Sequence, residues 1–350
     1  MSEVIFNKYG HPWLDAGLIG FFKFAMLNKP NEIELELTEN EVIVSGESEN
    51  TIKTFLEDLY DKLTWDYYTT STEKQTATPS GFYYDKESKK CVKFPKAKPM
   101  GTAGVVFSQA PTPTESREQF KNMSYEEQQT IKDFLKESGI KSPLNNIYIN
   151  GRNKYHPKAD IILPIPKKPA KSKCAICGGD VHKKGEYKIT SSILPMKSGG
   201  CITFNSFYSD NGELACWKCN YISKFVPVIA IYTNTTEGNK KHTKIIILHN
   251  NNLKKLESNY DKLTIELDKV NLMHNCPTLF NKSNISGTYE TIMLYMYNFY
   301  IILNKKDIEI GKNVEEFRFR KIINDTPRFY IYDMVYMGNT YVGKDRKSVV

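Results

Sequence analysis

Four cysteines in two Cys-x-x-Cys pairs are the residues of this sequence best suited to chemistry. Cys174 and Cys177 form the first pair, Cys216 and Cys219 form the second, and residues 178–215 separate the pairs. Such pairs supply four soft ligands at about 2.3 Å from a tetrahedral ion, and zinc is the ion that this set favours. Because protein fills all four positions, no activated water can bind. We therefore expect a structural zinc and no catalytic residue.

The residues around the pairs agree with a metal-binding turn. Gly178 and Gly179 follow the first pair, where backbone amides must point at sulfur and a side chain would crowd them. Cys201 and His182 lie between the pairs and could replace one ligand. The seven cysteines are an odd number for a disulfide framework. In a reducing compartment, paired cysteines are more often metal ligands than bridges.

The same region also resembles an HNH endonuclease, a family that often carries Cys-x-x-Cys pairs around a catalytic histidine. The segment Asn211–Asn220 has the character of that motif. The family places Asp-His or His-His before an apolar-apolar-Pro step, whereas Ser191–Ser192 precedes Ile193–Pro195 here. His182 lies too close to the first pair to take that role, so the general base of such a nuclease is missing. A zinc-stabilised HNH-type endonuclease is kept as an alternative.

The composition describes a chain that can bury a core and that favours anionic partners. Its 350 residues are 40% hydrophobic, and 48 Lys+Arg against 40 Asp+Glu leave a net charge of +8. This surplus favours nucleic acid first and a membrane surface second. The richest apolar stretch, Ile292–Leu303, is interrupted by Asn298 and is too short to span a bilayer. No secretory signal is visible, so we expect a cytoplasmic protein.

The elements that must position the cysteines begin with an N-terminal α/β unit. Trp13–Leu27 is apolar on most faces and predicts a buried helix. In this helix we expect Asp15 to lie near the positive end, and Gly17 and Gly20 to allow close packing of another element.

Three further elements follow from periodicity and capping signals. Alternating apolar residues predict a hairpin over residues 33–44. An apolar stripe predicts a helix over residues 52–63, with Asn50 as its cap. Ser124–Glu127 is a capping box that opens a helix stopped by Gly139.

The later part of the chain predicts strands and then a helix. Phe225–Tyr232 and Lys244–Leu248 are β-rich and could extend the N-terminal sheet, while Thr288–Leu303 predicts an apolar helix. We therefore predict a mixed α+β fold, with an N-terminal α/β domain, an inserted four-Cys zinc knuckle and a helical C-terminal part. The predicted segments are 1–115, the N-terminal α/β domain with basic aromatic loops; 116–165, a helical and loop connector; 166–232, the zinc-binding segment; and 233–350, a β and then helical C-terminal part.

Two basic segments could contact nucleic acid. Residues 65–113 mix aromatic residues with lysines, and residues 150–155 begin with an Asn-Gly turn. Lysines suit phosphates, while asparagine and arginine suit base edges. Each segment could equally be a solvated surface. The predicted nucleic-acid-binding residues are Lys89, Lys90, Lys93, Lys96, Asn150, Arg152, Asn153 and Lys154.

Several short motifs occur in a distinctive order along the chain. They are Gly10–Leu18, Cys174–Gly178, Asn205–Phe207, Gly212, Cys216–Cys219 and Phe225–Pro227. In order and approximate spacing they resemble the large subunit of type I-B CRISPR Cascade complexes, in its Cst-type variant, which opens with Gly-x-Pro-x-x-Asp-Ala-Gly. The resemblance covers residues 5–30 and 170–232.

That resemblance implies a DNA-surveillance subunit without catalysis of its own. Such a subunit reads the protospacer-adjacent motif on target double-stranded DNA, anchors the guide-RNA complex beside the Cascade backbone subunits and helps recruit the helicase-nuclease effector. Large subunits are commonly longer and end in a helical bundle. The bundle would therefore be absent, truncated or supplied by a separate small subunit. A zinc-stabilised adaptor that binds only protein is a further alternative.

Overall fold

The computed structural model describes the four cysteines and the elements around them. The described residues are 1–68, 79–94, 120–140, 148–149, 159–166, 170, 172–189, 213–237, 240–270, 328–337 and 340–349. Backbone contacts divide the chain into two units, one made of residues 1–56 with 160–350 and the other of residues 57–159. The four segments expected from the sequence stay a prediction.

The first unit begins with a small sheet and two helices. These elements are β1 (Ser2–Asn7), α1 (Pro12–Asn28), β2 (Glu34–Leu37), β3 (Glu41–Gly46) and α2 (Glu49–Leu63). The strands are antiparallel in the order β1-β3-β2, and Val44 lies opposite Val4 on one side and Leu35 on the other. The predicted hairpin and both predicted helices are confirmed, whereas β1 was not predicted.

Helix α1 is the buried element against which the first unit packs. Its backbone closely approaches the chain after the second cysteine pair. A Cβ atom built on Gly17 would lie 2.5 Å from the carbonyl oxygen of Ile222, and one on Gly20 would lie 2.2 Å from that of Phe225. Real Cβ atoms do not come this close to backbone oxygen. The prediction that these glycines allow close packing is therefore confirmed.

A buried polar pair joins the start of α1 to a later strand. Asp15 is fully buried in the first turn of α1. One of its oxygens accepts a hydrogen bond from the backbone N–H of Tyr9 at 2.7 Å, and the other lies 2.9 Å from Nε2 of His249. Buried carboxylates persist where their oxygens are hydrogen-bonded, and both oxygens are engaged here. The sequence analysis had assigned no partner to this histidine.

The predicted cap of α2 is wrong by two residues. The side-chain oxygen of Ser48, not that of Asn50, accepts the backbone N–H of Thr51 at 3.1 Å. Asn50 instead lies within the first turn of the helix. Serine and asparagine are both favoured at the N-cap of a helix. The apolar periodicity of α2 therefore did not show which of the two residues caps it.

The second unit takes in the end of α2 from Glu57 and contains a short sheet and a further α-helix. Its elements are β4 (Phe82–Asp85), β5 (Lys90–Lys93), α3 (Tyr125–Glu137) and β6 (Tyr148–Ile149), and the strands are ordered β5-β4-β6. The predicted capping box is confirmed, because Ser124 accepts from the N–H of Glu127 and the Glu127 carboxylate accepts from the N–H of Ser124. Gly139 ends this helix with φ +67°. The core of this unit is Tyr84, Met123, Ile131, Leu135 and Ile149.

The first unit resumes with the segment that carries the four cysteines and with a four-stranded sheet. Its remaining elements are β7 (Ser172–Lys173), β8 (Asp180–Val181), β9 (Tyr187–Lys188), β10 (Leu214–Ala215), α4 (Trp217–Ser223), α5 (Val226–Ile229), β11 (Ile231–Glu237), β12 (Lys240–His249), α6 (Leu253–Val270), β13 (Arg328–Met337) and β14 (Thr340–Val349).

Two predictions for this region are wrong. The strand expected over Phe225–Tyr232 is a helical turn, α5, up to Ile229, and the strand begins only at Ile231. Pro227 lies in the first turn of α5, where the missing N–H costs nothing. Strands β11 and β12 do not extend the N-terminal sheet. They form a separate antiparallel sheet in the order β11-β12-β13-β14.

The described C-terminal residues are strands, where the sequence predicted a helical part. The last two described segments are the paired strands β13 and β14, in which Phe329 lies opposite Val349. Helix α6 precedes them in the chain. The predicted helix Thr288–Leu303 lies outside the described residues.

The close approach of α1 to the chain after the second cysteine pair can be tested by adding one methyl group. In Gly20→Ala the new Cβ would meet the Phe225 carbonyl oxygen, so the helix must move away. We expect the free energy of unfolding to fall by about 1–3 kcal/mol. Without a clash, alanine would instead raise it by about 1 kcal/mol through helix propensity. Urea denaturation followed by tryptophan fluorescence measures the difference.

Met26→Ala is the matched control for that experiment. Met26 lies on the same helix with 46% of its surface exposed, so its truncation should change stability by at most about 0.5 kcal/mol. A Gly20→Ala protein more stable than the parent would show that α1 does not pack closely there.

Candidate metal centre

The first cysteine pair occupies the turn between β7 and β8. Backbone bonds close this turn, with the N–H of Cys174 donating to the carbonyl of Gly179 at 2.8 Å. Two backbone N–H groups point at sulfur, that of Ile176 at Cys174 and that of Gly179 at Cys177, each at 3.4 Å. Gly178 has φ +72°, which favours glycine. The structure thus has the turn expected at the two glycines, with backbone amides directed at sulfur.

The second cysteine pair occupies the start of helix α4. Cys216 immediately precedes the helix, and Cys219 lies in its first turn. Residues three apart share a helix face, so both thiols point the same way. Strand β10, just before this pair, joins the first pair through a bond from the N–H of Ala175 to the carbonyl of Leu214 at 2.9 Å. The two pairs thereby face each other.

The four sulfur atoms lie at distances that fit one tetrahedral ion. Sγ of Cys174 is 3.7 Å from Sγ of Cys219, and Sγ of Cys216 is 3.6 Å from those of Cys177 and Cys219. All four lie within 4.8 Å of one another. Sulfur ligands at about 2.3 Å from a tetrahedral ion are about 3.8 Å apart. The predicted ligand set is thus brought together, and its geometry suits zinc.

Three of the four cysteines are removed from solvent. Cys174, Cys216 and Cys219 are buried, whereas Cys177 is exposed. Four thiolates complete a tetrahedral coordination shell, which leaves no position for a bound water. The donor set therefore suits a structural ion that cross-links two parts of the chain.

The pKa values of two thiols of the cluster are shifted in opposite directions. Hydrogen bonds from Cys177, and then from Cys216 and Cys219, hold the pKa of Cys174 far below its usual value. The pKa of Cys219 is raised far above its usual value, first by its hydrogen bond to Cys174. The thiols therefore compete for negative charge when they have only each other. A divalent ion removes this competition, because it stabilises all four as thiolates.

The two substitute ligands weighed from the sequence do not enter the described cluster. His182 is half-buried between β8 and β9, and the metal-ligating group found among the described residues contains only the four cysteines. Cys201 lies outside the described residues, as does Ser191–Ser192. No histidine lies in the metal centre within the part of the chain that the structure describes.

The predicted nucleic-acid-binding residues are only partly described. Lys89, Lys90 and Lys93 are exposed on the hairpin of β4 and β5. Their neighbour Glu127 has a lowered pKa, first through the backbone N–H of Ser124, with smaller contributions from Lys86 and Lys89. The remaining predicted residues lie outside the described chain, namely Lys96, Asn150, Arg152, Asn153 and Lys154.

Two residues beside the cluster were missed by the sequence analysis. Burial raises the pKa of Tyr9 well above its usual value, and the charges of Cys219, Cys216 and Cys177 act in the same direction. Lys218 lies between the cysteines of the second pair, and its Nζ donates to the carbonyl oxygen of Ile5 at 2.8 Å. The position of Lys218 between Cys216 and Cys219 could have indicated from the sequence that it lies near the cluster. Tyr9 is distant in sequence from the cysteines, and no motif indicated its position.

Comparison with known proteins gives this chain no relatives to argue from, since no protein-family model and no curated protein matches it. Within the described ranges, the helices are all too short or too polar to cross a membrane. The function is therefore inferred from the chemistry of the site itself.

The metal centre can be tested by metal analysis of protein purified without added metal. We expect about one zinc per chain, and its loss together with solubility in Cys216→Ser, because three thiolates leave the segment without its cross-link. Inductively coupled plasma mass spectrometry measures the metal content.

Cys91→Ser is the control for that measurement. Cys91 lies on β5 in the other unit, and burial raises its pKa to about 11, so its thiol stays protonated at neutral pH. This variant should keep the full metal content. Zinc retained in Cys216→Ser at the parent level would rule out the four-sulfur site.

Proposed function

We propose that this chain is a non-catalytic DNA-surveillance subunit of a type I-B CRISPR Cascade complex, with a structural zinc centre. In this role it reads the protospacer-adjacent motif on duplex DNA, anchors the guide-RNA complex and helps recruit the helicase-nuclease. Its partners are the Cascade backbone subunits, the guide RNA, the target double-stranded DNA and the helicase-nuclease effector. The ion is zinc, and the compartment is the cytoplasm.

The closed sulfur cluster is the observation that carries this proposal. Zinc that activates water keeps a coordination position open, whereas four thiolates fill every position. The donor set therefore favours a stabilising ion over a hydrolytic one. A protein of this kind binds and inspects its target, while another component breaks it.

The packing of α1 gives independent support to the resemblance. Two separate stretches of sequence carry that resemblance, residues 5–30 and 170–232. Their described parts lie against each other in the first unit, where Gly17 and Gly20 closely approach the backbone of Ile222 and Phe225. Phe21 of α1 also stacks edge-on against Phe225 at 5.3 Å between ring centroids. Motifs that form one packed body have a shared structural reason to occur together.

The exposed lysines of the β4–β5 hairpin suit contact with DNA. Phosphate contacts position a protein on a duplex, while a few contacts to base edges supply specificity. In a guide-directed complex, base pairing with the guide reads most of the sequence, so the protein needs only a modest basic surface. Lys89, Lys90 and Lys93 supply three exposed charges for this purpose.

Duplex binding as a function of salt tests the proposal. The parent protein should bind a short duplex with an affinity that falls steeply as salt increases. The double variant Lys89→Ala/Lys90→Ala should bind more weakly, with the slope of log affinity against log salt reduced by about 1–2. Fluorescence anisotropy at several salt concentrations measures both quantities.

Lys254→Ala/Lys255→Ala is the matched control, since it removes two exposed lysines from α6. Its affinity and salt slope should equal those of the parent. A parent protein with no affinity for the duplex would favour the protein-binding adaptor. Cleavage of plasmid in the presence of a divalent metal, abolished in His182→Ala, would favour the HNH-type endonuclease instead.

A further inference from the structure

The four cysteine sulfurs form two close contacts that run between the two Cys-x-x-Cys pairs. Sγ of Cys177 lies 3.6 Å from Sγ of Cys216, and Sγ of Cys174 lies 3.7 Å from Sγ of Cys219. Each of the four sulfurs takes part in one of these two contacts. The sulfur atoms of a disulfide are about 2.05 Å apart, so a small movement of two side chains would turn each contact into a bond.

The four thiols differ in their access to a dissolved oxidant. Cys177 is exposed in the turn between β7 and β8, whereas Cys174, Cys216 and Cys219 are buried. The susceptibility of a thiol to oxidation follows its exposure. We therefore expect oxidation to begin at Cys177, where the Cys216 sulfur lies 3.6 Å away and can react with the oxidised side chain.

Pairing between the two motifs has a different consequence from pairing within them. The partners in the two cross-pair contacts are 39 and 45 positions apart in sequence, and they join the β7–β8 turn to the start of α4. Cys216 lies equally close to Cys219, at 3.6 Å, but a bond there would leave the exposed Cys177 without Cys216 as its partner. Bonds within each motif would also leave the turn and the helix unconnected. A cross-link that closes a long loop constrains the unfolded chain more than one that closes a short loop.

We propose that the four-cysteine cluster is a reversible redox centre, in which a hydroperoxide converts the four thiols into the disulfides Cys177–Cys216 and Cys174–Cys219, with release of any bound ion. In the first step the Cys177 thiol takes an oxygen atom from hydrogen peroxide, which gives a sulfenic acid and one water molecule. The Cys216 thiol then forms the S–S bond, and the sulfenic oxygen leaves as a second water molecule. Cys174 and Cys219 react with a second peroxide in the same way.

Each disulfide in this scheme uses one peroxide. The two sulfurs give up two electrons, the O–O bond breaks, and the two thiol protons end in water. Sulfurs that hold an ion are thiolates, so in that case solvent supplies the two protons. A dithiol reductant reverses the reaction, because it becomes a disulfide itself while both cysteines regain their protons.

The inference concerns the cysteine cluster and is independent of DNA binding. It rests on the metal centre of the proposed function only for the release of the ion. In a cytoplasmic protein, disulfides are usually transient and catalytic or redox-sensing. Reversible pairing therefore fits the compartment that we propose for this chain.

Disulfide mapping after graded oxidation tests the inference. The reduced protein is treated with one and then two equivalents of hydrogen peroxide, free thiols are blocked, and linked peptides are identified by mass spectrometry. We expect Cys177–Cys216 to form first, because it contains the exposed thiol, and Cys174–Cys219 to form second. A zinc-sensitive dye should report the loss of bound zinc with the first bond, since two sulfurs do not fill a tetrahedral site. Dithiothreitol should restore the four thiols.

Two controls separate pairing directed by the fold from pairing by chance. Four cysteines can pair in three ways. Protein oxidised while unfolded in guanidinium should form mainly the bonds within each motif, because residues close in sequence meet most easily in an unfolded chain. The variant Cys91→Ser/Cys201→Ser/Cys276→Ser keeps only the four cysteines of the cluster and should show the same pairing as the parent.

Thermal unfolding measures whether the disulfides replace the ion as a cross-link. The oxidised metal-free protein should melt at a higher temperature than the reduced metal-free protein. Bonds within the motifs of the folded protein, oxidation of Cys177 without any disulfide, or an unraised melting temperature would overturn the inference while leaving the metal centre intact. Cross-pair disulfides in a parent protein that binds no zinc would support the inference and overturn the metal centre alone.

Discussion

Convergence of four cysteine sulfurs from two distant stretches of sequence is the constraint on which the first unit depends. The segment that carries these cysteines has strands of only two residues, β7 to β10, which bury little surface by themselves. An ion bound by the four sulfurs would join the β7–β8 turn to the start of α4, and this cross-link would take the place of a larger core. Helix α4 is also joined to α2, because the Tyr221 hydroxyl donates a hydrogen bond to the Leu56 carbonyl at 2.9 Å.

The metal centre and the N-terminal elements form one body and not a knuckle added to a finished domain. Phe6 of β1 lies 5.1 Å from Phe21 of α1 and 6.0 Å from Trp217 of α4. Tyr221 and Phe225 complete this aromatic cluster, with 5.0 Å between their ring centroids. The cysteine-bearing segment is therefore an insertion in the order of the sequence but not in the packing. This shared packing also explains why a short N-terminal motif can accompany a distant pair of cysteines.

Local chemistry made part of this structure predictable from the sequence. The clustering of the four cysteines was predictable because Cys-x-x-Cys spacing followed by two glycines is typical of a metal-binding turn. Helix α3 was predictable because Ser124 and Glu127 satisfy each other's backbone groups. Helix α1 was predictable from its continuous apolar run.

Contacts between residues far apart in sequence were not predictable in this way. Tyr9 beside Cys219, and His249 beside Asp15, follow no period and no motif. The β-rich composition of Phe225–Tyr232 was misleading, because packing against α1 and a proline in the first turn favour the helical turn α5 there. One sheet partner of β12 is the preceding strand β11, but the other, β13, lies more than 70 residues along the chain and places Phe329 opposite Leu248.

X-ray absorption at the zinc edge of the purified protein measures the central claim most directly. The structure predicts four sulfur ligands at about 2.3 Å and no nitrogen or oxygen in the first coordination shell. A shell with fewer than four sulfurs, completed by a histidine nitrogen or a water oxygen, would contradict it, and a water oxygen would in addition mark an open site with room for catalysis.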